Sequence, residues 1–288
     1  MRAVYVQKQE TAYLRTQTNL SAIVLITQTI ALLIGGYIAD GLGFEIILLI
    51  SGIAGISQAV VFAFLKEPAI HALGEKGTTK LTDKLKESAQ QIIEVYKSFM
   101  TKISVLFIAG FSVVFYISSG YLSTIQQPYL ISIGFDSYSA ISVILALING
   151  FSALALLVYG KVVPRSRSQH IIYQALIFTI GIILLGLLPD KKMIINLLIL
   201  NSILEIGSIT LLETLNKEIP SSVRATLIST QNQINVVFNV VFGMCIGKAV
   251  DLVGINRSNF ITGFFLLFAT ALLLFLKNKK RSDEKRQF

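Results

Sequence analysis

Tryptophan is absent from this 288-residue sequence, cysteine occurs once and histidine twice. A lone Cys245 rules out an intrachain disulfide and a thiolate metal site, and neither His71 nor His170 has a second histidine at metal-ligand spacing. No metal or other cofactor is expected. Charge is scarce too: Asp, Glu, Lys and Arg make up 14% of the chain, against about a quarter in soluble domains. With 53% hydrophobic residues and a mean hydropathy of +0.70, the chain lacks the polar surface to cover a soluble globule. These deficits predict an all-α polytopic membrane protein in contact with the lipid bilayer. No signal peptide is expected, because Met1 to Thr18 are polar and no short apolar core with a small-residue cleavage site follows. The interfacial aromatic belt falls to 10 tyrosines and 18 phenylalanines.

What the chain has in quantity is long apolar runs. A helix needs about 20 mostly apolar residues to cross the hydrocarbon core. Runs of that kind cover 20–39, 45–65, 103–126, 138–160, 171–188, 193–215, 225–248 and 260–276. The prolines, Pro68, Pro128, Pro164, Pro189 and Pro220, fall at or just beyond the ends of these runs, where a missing amide proton costs least. A net charge of +9 raises the question of nucleic acid, but the basic residues sit in the breaks between runs and not along one groove or helix face. No nucleic-acid partner is expected.

Those breaks orient the chain. With both termini cytoplasmic, the cytoplasmic segments hold all of the 25 lysines and arginines except Lys191, Lys192, Lys248 and Arg257. The inverted arrangement would translocate nearly all the positive charge, against the positive-inside rule. A multi-pass protein of the cell membrane with both ends inside is therefore expected. The longest break, 66–102, repeats apolar residues at Leu81, Leu85, Ala89, Ile92, Tyr96 and Phe99. That spacing predicts an amphipathic helix lying on the membrane surface. The expected division is 1–65 with two spans, 66–102 as a cytoplasmic linker, and 103–288 as a six-span unit with a basic tail.

Three local strings carry a family resemblance. They are Gly35, Gly36, Asp40, Gly43 and Phe44; then Gly160, Lys161, Arg165 and Arg167; then Ile219, Pro220 and Arg224 followed by Ala225 and Thr226. Together with the long basic linker they resemble the major facilitator superfamily, in which two six-helix halves are joined by a cytoplasmic loop. The first string resembles the end of the fifth helix and its outer turn, the second the basic loop between the eighth and ninth helices, and the third the start of the eleventh. The resemblance implies helices five to twelve of that fold, with 1–19 as the loop before the fifth helix. It further implies that the first four helices are a missing N-terminal fragment. Lys161, Arg165 and Arg224 are then candidates for cytoplasmic gating loops. A competing match of Gly36, Ala39, Asp40 and Gly43 to the family's Gly-x-Leu-Ala-Asp-Arg-x-Gly motif fails. Gly41, Phe44 and Glu45 stand where its basic residues belong, and that placement would turn the linker lysines outward.

Polar groups inside a membrane are costly and face cavities or partner helices, so they are the candidate site. Glu205 lies mid-span, where an ionised carboxylate costs about 2.5 to 3.5 kcal/mol on insertion scales. Protonation relieves that cost, which suits a proton carrier. Asn201 and Ser208 share its helical face. Glu213, nearer the end of the span, is expected to pair with Lys217 or Arg224. Gln231, Asn232, Asn235 and Asn239 crowd one later run, and Tyr116, Ser119, Ser123 and Gln127 make a stripe on another, with Gly120 expected to allow a local break. Asn149, Gln28 and Gln58 are single candidates, each of a type more often a packing contact than a ligand. Amide and aromatic groups together suit an amphipathic organic solute.

A membrane enzyme would need a paired catalytic constellation, and none is found. Gly74, Lys76, Gly77 and Thr78 do not form a phosphate-binding loop. The expectation is secondary transport of a small organic solute, driven by a proton gradient and of the drug or metabolite efflux type. The alternatives are a non-transporting remnant of such a transporter, or a membrane subunit that needs a partner chain.

Overall fold

The computed structural model describes residues 2–64, 93, 103–162, 167–219 and 224–286. Among these the secondary structure is helical, with no strand. The helices are α1 (Arg2–Leu42), α2 (Phe44–Ala63), α3 (Ile103–Ser132), α4 (Tyr138–Tyr159), α5 (Arg167–Leu187), α6 (Ile194–Glu218), α7 (Arg224–Val253) and α8 (Ile255–Arg286). All eight are long and apolar enough to cross a membrane. Eight crossings return both chain ends to one face of the bundle, here the terminal face; the opposite face is the distal one. Apart from Ile93, the expected linker helix lies outside the described residues.

Two expected boundaries are corrected. Residues 2–19 were expected as a loop, yet α1 begins at Arg2. Nothing in that stretch stops a helix: Gln, Lys, Ala, Leu and Arg favour one, and the first glycine is Gly35. Pro128 does not mark a helix end but lies inside α3. The helix runs on for another turn because Tyr129 and Leu130, both fully buried, anchor it. It closes where Gly134 takes a positive φ of 91°, with the Phe135 amide donating to the Leu130 carbonyl at 3.1 Å.

α3 is the axis. It packs against α6, α7 and α8, and its Phe111, Tyr121, Leu122, Ile125 and Tyr129 are among the largest fully buried side chains. Facing them are Phe178 and Ile182 of α5 and Leu197 and Leu200 of α6. The Tyr121 hydroxyl donates to Asn259 Oδ1 on α8, a buried bond across the core. α5 and α8 close against each other behind this group.

α1 makes its main contact with α4. Small residues at three-to-four spacing allow it, since without bulky side chains two backbones come close and gain dispersion that lipid cannot supply. A Cβ on Gly160 would strike Thr18, and one on Gly36 would strike Ser142. Between these points Ala22 and Leu25 pack on Ala153 and Leu156, and Thr29 reaches the Ala146 carbonyl. At the distal end Asp40 closes the seam. Its carboxylate accepts the amides of Tyr138 at 3.0 Å and Ser139 at 2.8 Å, while Ser137 accepts that of Ala140. A carboxylate from one helix thus caps another, where the N-terminal dipole favours negative charge. α2, by contrast, has no buried residue.

Asp40→Ala is expected to release the first turn of α4. Amide hydrogen exchange should speed up by about tenfold or more at Tyr138 and Ser139 and stay unchanged at Ala140, whose cap is local. Equal rates in the variant and the parent at all three amides would contradict the cap.

Candidate solute cavity

The helices leave a cavity of about 330 Å³ between α3, α6, α7 and the first half of α1. Small-molecule sites run from about 300 to 1,000 Å³. It lies in the half of the bundle nearer the terminal face, and each wall has its own chemistry.

α6 contributes Glu205 and Ser208, one turn apart on the cavity face. Their neighbour Leu204 is buried but still borders the cavity as an apolar part of its wall. The Ser208 hydroxyl is used up on its own helix, donating to the Glu205 carbonyl at 2.9 Å. Glu205 is half-buried, and among the described residues nothing donates a hydrogen bond to its carboxylate. Asn201 shares the face but sits one turn further towards the distal side, where α4 and not open space stands opposite. Its amide donates to Ser152 Oγ at 3.0 Å and Asn149 Oδ1 at 3.5 Å. Ser152 also meets Ser202 at 3.2 Å. Glu213 is buried near the terminal face with Lys217 Nζ at 3.7 Å, the partner expected from the sequence.

The amide stripe of α7 divides. Gln231 and Asn235 are buried against α3: Gln231 Nε2 donates to Asn235 Oδ1 at 3.0 Å, and Asn235 Nδ2 donates to Ser112 Oγ at 3.0 Å. Asn239 presses on Gly120, where a Cβ would collide with its amide. Gly120 therefore provides a close approach between helices, and the expected break does not form, since α3 is continuous through it. Asn232 stays exposed and lines the cavity. On α3, Tyr116 and Ser119 line the same space. Ser123 is exposed but bonds to the Gly120 carbonyl, and Gln127 opens into a second groove together with Asn149 and Gln28.

Gln17 and Ser21 of α1 complete the lining and were missed from the sequence. They are four apart, a helical signal hidden by reading 1–19 as a loop. Ser112, the anchor of Asn235, looked like an ordinary serine in an apolar run. Of the gating-loop candidates, Lys161 is exposed just beyond α4 and Arg224 begins α7, while Arg165 lies outside the described residues. Among the described residues no cluster of His, Cys, Asp or Glu stands close enough to hold a metal ion.

Asn235→Leu should remove the bonds to Gln231 and Ser112, leaving Gln231 only its 3.4 Å bond to the Ala109 carbonyl, at a cost of about 1 to 3 kcal/mol. Thermal unfolding of the purified chain would show it as a lowered midpoint. Asn232→Leu, on the exposed side of the same helix, should leave the midpoint unchanged.

Residues 13–235, well over half the chain, match the family model described as Major Facilitator Superfamily. No curated protein matches the chain, and no solved structure does.

Proposed function

The chain belongs to the Major Facilitator Superfamily, a family of membrane transporters, and on that premise we propose proton-coupled export of a small amphipathic organic solute through the cavity around Glu205. One observation carries the reading: a carboxylate in a membrane-spanning helix faces a solute-sized cavity with no hydrogen-bond partner among the described residues. A structural carboxyl would be tied to a neighbouring helix. An untied one is free to hold either a proton or the positive end of a solute. Because the two occupants exclude each other, proton entry displaces solute, and that exclusion couples their movements in opposite directions.

The rest of the lining supports the solute class. Tyr116 and Phe115 offer aromatic faces, and Asn232, Gln17 and Ser21 offer hydrogen bonds without further charge. A cation with an aromatic body fits such a wall. Orientation rests on the positive-inside argument, which puts the terminal face and Lys161 in the cytoplasm of a cell-membrane protein. The cavity then opens to cytoplasmic solute, as an exporter requires.

A second reading is favoured by the outer side of α7. Ser229 and Gln233 are exposed there beside Val236 and Val237, and polar side chains facing lipid are costly. A transport unit in which a further membrane chain covers this side relieves that cost. Native mass spectrometry of the gently extracted protein tests it, a single chain alone opposing it.

Glu205→Gln is the test of the main reading. In proteoliposomes carrying a pH gradient, the variant should lose proton-driven accumulation of an aromatic cation such as tetraphenylphosphonium by about tenfold or more. Solute-for-solute exchange should persist when the cation concentration is raised to offset its weaker binding. Undiminished proton-driven flux in the variant would refute the assignment.

A further inference from the structure

A second groove, of about 490 Å³, lies on the distal half of the bundle between α1, α2 and α4, with the end of α3 at its edge. Its electrostatics differ from those of the first cavity. No acidic or basic side chain lines it. Three amides do, those of Gln28, Gln127 and Asn149. Gln28 and Gln127 make no hydrogen bond among the described residues, and Asn149 uses only its oxygen, which accepts from Asn201. Unpaired amides at membrane depth are costly unless water or a solute meets them.

The floor is apolar and its depth is set by two adjacent glycines with different tasks. A Cβ on Gly36 would strike Ser142, so Gly36 exists for the α1–α4 seam. A Cβ on Gly35 would meet nothing within 4 Å, because Gly35 faces the groove. Leu32 and Leu145 flank it, and at the mouth Phe44 and Tyr138 stand with ring centroids 6.5 Å apart.

The two spaces are joined by side chains. Tyr116 and Ser119 of α3 line the first cavity and Gln127, further along the same exposed stripe, lines the second. Asn201, one turn from Glu205, bonds to Asn149 in the groove wall. Along the exposed stripe of α3, this amide row is the next polar surface on the distal side of the first cavity.

We propose that the groove is a second binding station for uncharged amphipathic organic molecules, held by the free amides of Gln28, Gln127 and Asn149 above an apolar floor at Gly35. The station rests on the transport reading for its place on the solute path, and it binds in its own right. Its neutrality makes it weak for cations, so a cationic solute released by Glu205 is not trapped there.

The test is equilibrium binding to the full chain in lipid nanodiscs, with empty nanodiscs subtracted. The probes are N-phenyl-1-naphthylamine, uncharged at neutral pH, and tetraphenylphosphonium, a permanent cation. Gly35→Leu fills the floor without touching α4 and should weaken the neutral probe by about tenfold or more, leaving the cation within about twofold. Glu205→Gln should do the reverse. Gln127→Leu, which removes an amide that holds nothing else in place, should follow Gly35→Leu and serves in its stead if that variant does not fold. No saturable binding of the neutral probe to the parent chain overturns the station, as does equal sensitivity of both probes to both variants. Undiminished proton-driven flux in Glu205→Gln with this binding pattern intact would remove the transport reading and leave the station. Loss of the pattern with that flux intact would remove the station alone.

Discussion

A lipid core offers polar groups no solvent, so each one inside it must find a protein partner or open into a cavity. That constraint sorts the polar residues of this chain. Several Ser and amide groups spend themselves on helix contacts, such as Ser152 with Ser202, Asn235 with Ser112 and Tyr121 with Asn259, while the buried Thr270 hydroxyl has no hydrogen-bond partner among the described residues. Glu205, Asn232, Gln28 and Gln127, whose side chains have no partner among the described residues, gather where the helices stand apart. The candidate site is the remainder after packing has taken its share.

Packing in turn depends on small residues. The α1–α4 seam brings two backbones together at Thr18 and Gly160 and again at Gly36 and Ser142, and Asp40 fastens its distal end. Because α1 is held so closely along one face, its neighbouring face is fixed in position: Gln17 and Ser21 border the first cavity and Gln28 and Gly35 the second. One rigid helix pair therefore shapes both spaces. The lining of the first space includes a carboxylate, Glu205, whereas the polar side chains lining the second are uncharged.

Apolar runs of membrane-spanning length and the basic breaks between them were legible from the sequence, and so was the family resemblance carried by strings such as Gly35, Gly36 and Asp40. Glu205 stood out because a carboxylate in an apolar run is rare. Helix ends were less legible. Pro128 was read as a stop because a single proline says nothing about whether buried residues beyond it, Tyr129 and Leu130, will hold another turn. Residues 2–19 were read as a loop because hydropathy measures whether a stretch enters lipid, not whether it is helical.

By itself the sequence determined that this chain crosses a membrane as helices, since crossing depends on the hydropathy of each run taken alone. It determined too which residues were chemically eligible for a site, because a polar type at membrane depth is visible without neighbours. Only the tertiary structure decided among them. Asn235 and Asn232 are three apart in one polar run and both border the cavity, yet one is buried and tied to Ser112 while the other is exposed with its amide unpaired among the described residues. Gly35 and Gly36 are adjacent, yet one faces a void and the other a serine. The difference lies in which helix stands opposite each side chain, and that is a long-range property no local pattern encodes.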